Sequence, residues 1–185
     1  MLERINIINL IKDKKIARML ECENEFVNKF KNNLTPQEQH IFAAKLYCYF
    51  NYSQSDFIIS LDDVWQWVGF TKKAPAKDLL VNNFTIDTDY KIGDSFMMTL
   101  KTFTKFCILA RWQVFGNNVR NFYDYYIKLE QAFTKHSDMS ENVDVMRKSF
   151  SCNNGTGQWD YPGYYCHLEN RMLAKIAETS NHIVV

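Results

Sequence analysis

Glycine and proline are scarce, six and three residues in a chain of 185. An all-β fold needs a tight turn every ten residues or so, and that supply of turn formers argues against one. Cysteine has no pairing pattern either. Cys22, Cys48, Cys107, Cys152 and Cys166 form no C-x-x-C pair, and their odd number, with no framework spacing, argues for free thiols. A reducing compartment is the simpler expectation. No apolar run approaches the roughly 18 residues of a membrane span. The stretch from Ile5 to Ile11 is broken by Asn6 and Asn9 and followed by Lys12-Asp13-Lys14-Lys15, too short and polar for a secretory signal. An intracellular protein is therefore expected, in which the N-x-S/T triplets at Asn51, Asn83 and Asn154 carry no glycan.

Net charge is nearly absent as well. Twenty-two Lys and Arg face 21 Asp and Glu, for a formal charge of +1. Any nucleic-acid surface must then be a local patch. Catalytic signatures are missing: no G-x-x-x-x-G-K-[ST] phosphate loop and no H-E-x-x-H occurs, and Gly155-Thr156-Gly157 lacks the third glycine and the flanking strand and helix of a dinucleotide fingerprint. A Cys166-His167 nucleophile pair would lack an oxyanion hole and a third orienting group. A zinc site from Cys152, Cys166 and His167 with His136 or His182 fits no standard ligand spacing. No enzyme activity, metal or cofactor is expected.

What is present is a core. Hydrophobic residues make up 46% of the chain and aromatics 15%, enough to offset the entropy of folding, mostly in helices. The first stretch, with Ile5, Ile8, Ile16, Met19, Leu20, Phe26, Val27 and Phe30, predicts one long or two short helices. Thr35-Pro36-Gln37-Glu38 joins an N-cap, a proline at the first helical position and a capping-box glutamate, so a helix starts there and runs towards Phe50. Phe57-Ile58-Ile59 reads as a short strand. Ser60 with Asp63 then caps a two-turn helix, Val64 to Val68, stopped by Gly69. Pro75 suits the first turn of another helix through Leu79 and Leu80. Two short helices joined across a glycine have the shape of a helix-turn-helix.

Gly93-Asp94 predicts a β-hairpin that sets Tyr90-Lys91-Ile92 against Phe96-Met97-Met98, a wing beside the helix pair. Thr99 caps a helix with Leu100, Phe103, Phe106, Cys107 and Ala110 on one face. After Gly116-Asn117 a second amphipathic helix, about 118–133, carries Val119, Phe122, Tyr126, Leu129 and Phe133. Residues 135–142 are polar, Ser151 to Gly163 read as loop, and a terminal helix from Tyr165 to Glu178 docks through Leu168, Met172, Leu173 and Ile176. The expected fold is α+β and mostly helical. It divides into an N-terminal helical segment (1–56), a central domain (57–134) and a C-terminal extension (135–185).

The central stretch resembles a known family. Ile59-Ser60-Leu61-Asp62-Asp63-Val64-Trp65-Gln66-Trp67-Val68-Gly69-Phe70, then Ala76-Lys77-Asp78-Leu79-Leu80 with Asn83-Phe84, then Asp89-Tyr90-Lys91-Ile92 follow its order and spacing. So do Met98-Thr99-Leu100-Lys101-Thr102-Phe103-Thr104-Lys105-Phe106-Cys107 and Val119-Arg120-Asn121-Phe122-Tyr123-Asp124-Tyr125-Tyr126-Ile127-Lys128-Leu129-Glu130. Together they look like the small viral domain first described in an insect poxvirus, a relative of the Bro-N and KilA-N domains, over about two fifths of the chain. The resemblance implies a DNA-binding α+β module of large DNA viruses and phages, regulatory or targeting in role, acting in host cytoplasm, nucleus or virion. Such modules are often fused to a GIY-YIG nuclease. Nothing after Phe133 matches a nuclease motif, so that activity is not carried over. The connection Arg111-Trp112-Gln113-Val114-Phe115 is bulkier than the small polar link of the family.

The implied partner is double-stranded DNA. Lys72, Lys73 and Lys77, at the connection and start of the second short helix, stand where helix amides also favour phosphate. Lys91 on the hairpin and Lys101 and Lys105 on the next helix extend that surface, while Arg111, Arg120 and Lys128 either add to it or face elsewhere. The plain alternative for all of them is a solvated surface. Asn82 and Asn83 either read adenine edges or close a helix, the more economical role. Trp65, Trp67 and Phe70 read first as core or interface, and Tyr123, Tyr125 and Tyr126 as core plus rim. A protein-interaction module, antirepressor-like or a virion component, with exposed aromatics docking a partner or a second copy, is the competing reading.

Overall fold

Short polar side chains at fixed positions set most of the helix boundaries. The computed structural model describes residues 4–21, 25–114, 116–135 and 161–179. Asn6 caps helix α1 (Ile7–Lys12), its side-chain oxygen accepting from the Ile8 and Asn9 amides at 3.1 Å each. Asp13 ends α1 and opens α2 (Lys14–Ala17), accepting from the Lys15 amide at 2.8 Å. A 3-10 turn (Arg18–Glu21) and α3 (Glu25–Lys31) follow. The N-terminal segment is thus broken into more pieces than the one or two helices expected, and Asp13, which binds a backbone amide where a hydrophobic stripe reads through, makes the first of these breaks.

Helix α4 (Pro36–Asn51) begins as the sequence predicts. The Thr35 amide donates to Glu38 Oε2 at 2.7 Å while the Glu38 amide donates to Thr35 Oγ1, a reciprocal capping box with proline at the first helical position.

Ser60 caps α5 (Leu61–Val68) by accepting from the Asp62 amide. Gly69 closes α5 at φ +116°, and its amide and that of Phe70 return to Gln66 and Trp65, the Schellman pattern. Helix α6 (Lys73–Asn83) follows, with Pro75 in its first turn, and Asn83 donates to the Leu79 carbonyl at 2.8 Å. That bond gives Asn83 the helix-closing role.

Three short strands form one antiparallel sheet. Strand β1 (Ile59–Ser60) pairs with β3 (Phe96–Met98), and β3 pairs with β2 (Tyr90–Ile92), in the order β1-β3-β2. The hairpin register is Tyr90↔Met98, Lys91↔Met97 and Ile92↔Phe96, the segments expected to face each other, joined by a three-residue loop from Gly93 to Ser95. Ile5 joins the outer side of β1, its amide donating to the Ile58 carbonyl at 3.0 Å.

Thr99 caps α7 (Leu100–Ala110), and α8 (Asn117–Lys135) and α9 (Tyr161–Thr179) complete the described chain. Helix α9 begins four residues before Tyr165: Pro162 and Gly163, expected in a loop, lie in its first turn, where proline loses no hydrogen bond. Of the polar stretch 135–142 and the loop 151–163, residues 136–142 and 151–160 lie outside the described residues.

The fold is α+β and mostly helical. Buried residues from α1, α4, α5, α6, α7, α8 and α9 belong to one contiguous apolar cluster. Its centre is aromatic, with Phe103 and Phe122 rings 5.7 Å apart edge-to-face and Tyr125 and Tyr126 rings 4.7 Å apart. Leu168, Met172, Leu173 and Ile176 dock α9 as the stripe predicts. Trp67 packs on Phe103 and Phe122, and Tyr123 stays at the rim, so neither cluster is an open stacking platform. No helix among the described residues is long and apolar enough to cross a membrane.

Candidate nucleic-acid interface and its surroundings

The exposed side of α6 is set by where its apolar residues fall. Ala76, Leu79 and Leu80 are buried, which turns Lys72, Lys73 and Lys77 outward. Lys77 lies against the hairpin, its Nζ 5.2 Å from the centre of the Phe96 ring on β3. Lys91 on β2 is exposed, with Nζ 4.6 Å from the Phe57 ring that precedes β1. Helix α6 and the hairpin are therefore continuous through a cation–π contact.

Acidic charge beside this face is partly neutralised. Asp62 and Asp63 open α5, where they suit the helix dipole. Lys73 pairs with Asp62, and Arg4 grips Asp63 with two hydrogen bonds at 2.6 and 3.0 Å. Lys73 is thus the one lysine of the α6 group held by a carboxylate. Among the described residues no ion pair engages Lys72, Lys77 or Lys91.

Lys101 and Lys105 belong to a different neighbourhood. They lie on α7 beside α9, where their charges and that of Arg171 act on His167. Partial desolvation of a largely exposed ring first, then those three cations, hold the His167 imidazole below its usual pKa. Lys128, which the sequence left open, faces away from α6: it binds the buried Glu38 carboxylate at 2.6 and 2.9 Å and ties α8 to the start of α4. Arg111 and Arg120 lie together beside the α7–α8 connection.

That connection also touches the turn of the helix pair. A Cβ on Gly116 would stand 3.2 Å from the Val68 carbonyl oxygen and 3.6 Å from the Gly69 Cα. The two glycines permit the close approach of two loops far apart in sequence.

A buried polar cluster stands behind the exposed face, and the sequence patterns did not reveal it. Lys45 of α4 is 1% exposed and Glu169 of α9 is 4% exposed. Their charged ends meet at 2.8 Å, and Lys45 also donates to Thr104 of α7 and Tyr126 of α8. Tyr125 and Tyr126 donate to the two Glu169 oxygens at 2.9 and 2.8 Å. All three ammonium protons have acceptors, which is what makes a buried cation tolerable. The available signal was position: Lys45 follows Glu38, Ile41 and Phe42 on the inward side of α4, and Glu169 stands among Tyr165, Leu168 and Met172.

Burial pushes the Cys48 and Cys166 thiols up to about 12 and Cys107 higher still, so all three stay protonated and inert at neutral pH. Cys166 is buried while the adjacent His167 is exposed, so consecutive positions on α9 turn the two apart. No group of His, Cys, Asp and Glu among the described residues could hold a metal ion. Cys152, His136 and His182 lie outside the described residues, as does Gly155-Thr156-Gly157.

No family model, curated protein or solved structure matches the chain.

Proposed function

We propose that this protein is a non-enzymatic, intracellular module that binds double-stranded DNA, placing α6 in a groove with the β2–β3 hairpin alongside. The observation that carries the reading is the contact between Lys77 and Phe96, which makes α6 and the hairpin one surface. The exposed amines of Lys72 and Lys77 belong to the α6 side of it without a carboxylate ion pair among the described residues, while Lys91, one position from the Ile92 that pairs with Phe96, leaves the opposite face of the hairpin. Such amines supply sequence-independent phosphate affinity, and the groove-facing helix supplies what base reading there is. Lys73 exchanges Asp62 for phosphate on binding, and Lys101 and Lys105 act as a second, outlying contact beside α9. The resemblance of its motif order to that of Bro-N and KilA-N domains is what suggests a regulatory or targeting role in a large DNA virus or phage. The buried free thiols of Cys48, Cys107 and Cys166 are in keeping with a reducing compartment.

Salt titration tests this reading. Log affinity falls with log salt by about 0.9 per neutralised phosphate, and changing Lys72, Lys73 and Lys77 to Ala flattens the slope by as much as about 2.7. A slope near zero, or one that the triple variant leaves unchanged, rejects it. The second reading, a protein-docking module, is favoured by the exposed Trp112 and Ile92. Light scattering that shows a tight oligomer without DNA affinity selects it.

A further inference from the structure

The link between α7 and α8 and the first turns of α8 surround a cavity of about 670 Å³, inside the range of small-molecule sites. Two guanidinium groups, Arg111 and Arg120, outnumber its one carboxylate, Asp124. Gly116 and Asn117 bring the start of α8 into the wall, and the first amides of that 19-residue helix have no acceptor within it, which favours an anion there.

Arg111 marks the site further. Its guanidinium carbon lies 3.8 Å from the centre of the Tyr123 ring and 4.3 Å from that of Trp112. Its Nε is buried and has no hydrogen-bond partner among the described residues. A buried donor without an acceptor is uncommon in a native protein. Here it belongs to a group whose planar fork matches phosphate or carboxylate oxygens. Trp112 is 73% exposed, a large indole at the rim of the cavity that the core does not use.

We propose that this cavity binds a nucleoside 5′-phosphate. The phosphoryl group sits on Arg111, Arg120 and the α8 amides, the base stacks on Trp112, and Asp124 accepts from a sugar hydroxyl. The phosphoryl and base contacts fit a free nucleotide and the 5′-phosphorylated end of a DNA strand alike, and only the free nucleotide also offers Asp124 a hydroxyl. It does not depend on Lys72, Lys73, Lys77 or Lys91.

The test is calorimetric titration of the full chain with AMP, adenosine, inorganic phosphate, and a short DNA strand with and without a 5′-phosphate. AMP binds at least tenfold more tightly than adenosine or phosphate alone. Arg120→Met and Trp112→Ala, both at exposed positions and checked by an unchanged urea midpoint, each weaken AMP at least tenfold. The Lys72, Lys73 and Lys77 triple variant leaves AMP binding unchanged, which separates this site from the duplex surface. A 5′-phosphate that tightens strand binding at least tenfold, a gain lost in Arg120→Met, identifies a strand end as the source, and AMP binding with no such gain identifies a free nucleotide. No saturable AMP binding at millimolar concentration, or binding indifferent to Arg120→Met and Trp112→Ala, overturns the proposal.

Discussion

Replacing Lys45 with Met removes the cation from a closed polar cluster while keeping most of the side-chain volume. Three hydrogen-bond acceptors, on Thr104, Tyr126 and Glu169, lose their donor at once. Thr104 keeps its bond to the Leu100 carbonyl, and both phenols still donate to Glu169. What remains is a carboxylate 4% exposed with no counter-charge in contact. Breaking a buried pair from one side costs about 3–5 kcal/mol. For a chain of this size that lowers Tm by roughly 6–20 °C, at about 2–4 °C per kcal/mol. Glu169→Met strands the ammonium instead and costs a similar amount. The double variant Lys45→Met/Glu169→Met removes both charges, and its loss is smaller than the sum of the singles by about 2 kcal/mol or more, the coupling of a directly contacting pair. Urea unfolding of wild type, both singles and the double closes the cycle. Losses that simply add, or a Lys45→Met variant within about 1 kcal/mol of wild type, would falsify the view that the two charges depend on each other.

Alkali acts on the buried thiols. Cys48 and Cys166 titrate near 12 when folded and near 9 when exposed, so the folded state keeps protons that the unfolded state releases. Their contribution is complete below about pH 9 and declines from there towards 12. Urea midpoints at pH 8 and pH 10 show the drop, and Cys48→Ala narrows it. His167 works at the other end: its folded pKa is lowered, so the unfolded state takes up the extra proton and stability declines as pH falls through the usual histidine value. His167→Gln makes the melting temperature less sensitive to acid between pH 7 and 5. Gly69→Ala forces a Cβ onto a backbone at φ +116°, a strain of about 1–3 kcal/mol visible as a lower urea midpoint.

Local chemistry was legible in the sequence wherever one residue type is needed at one place. Thr35 with Glu38, Ser60, Gly69 and Thr99 mark helix ends through bonds made within a few residues, and Gly93-Asp94 marks the place where the hairpin turns. Where a boundary depends on competition between stripe and cap, as at Asp13, periodicity alone joins helices that the cap separates. The proposed interface was legible in part. Outward lysines on α6 follow from its apolar stripe, but that Lys73 would be taken by Asp62 while Lys101 and Lys105 turned to α9 is decided by tertiary packing. The least legible feature is the Lys45–Glu169 pair, whose members stand 124 residues apart and look, one at a time, like ordinary surface charges.

The small sheet has consequences for how copies of this chain can meet. Ile5 occupies the outer flank of β1 through a parallel bridge to Ile59, and Ile86 forms a like bridge to Tyr90 on the far flank, at β2. Each lateral margin is thus obstructed by a single residue of the same polypeptide, and strands this brief offer little further backbone for pairing. Growth into a continuous ribbon of many chains is discouraged, which leaves contact between copies to outward side chains such as Trp112 and Ile92.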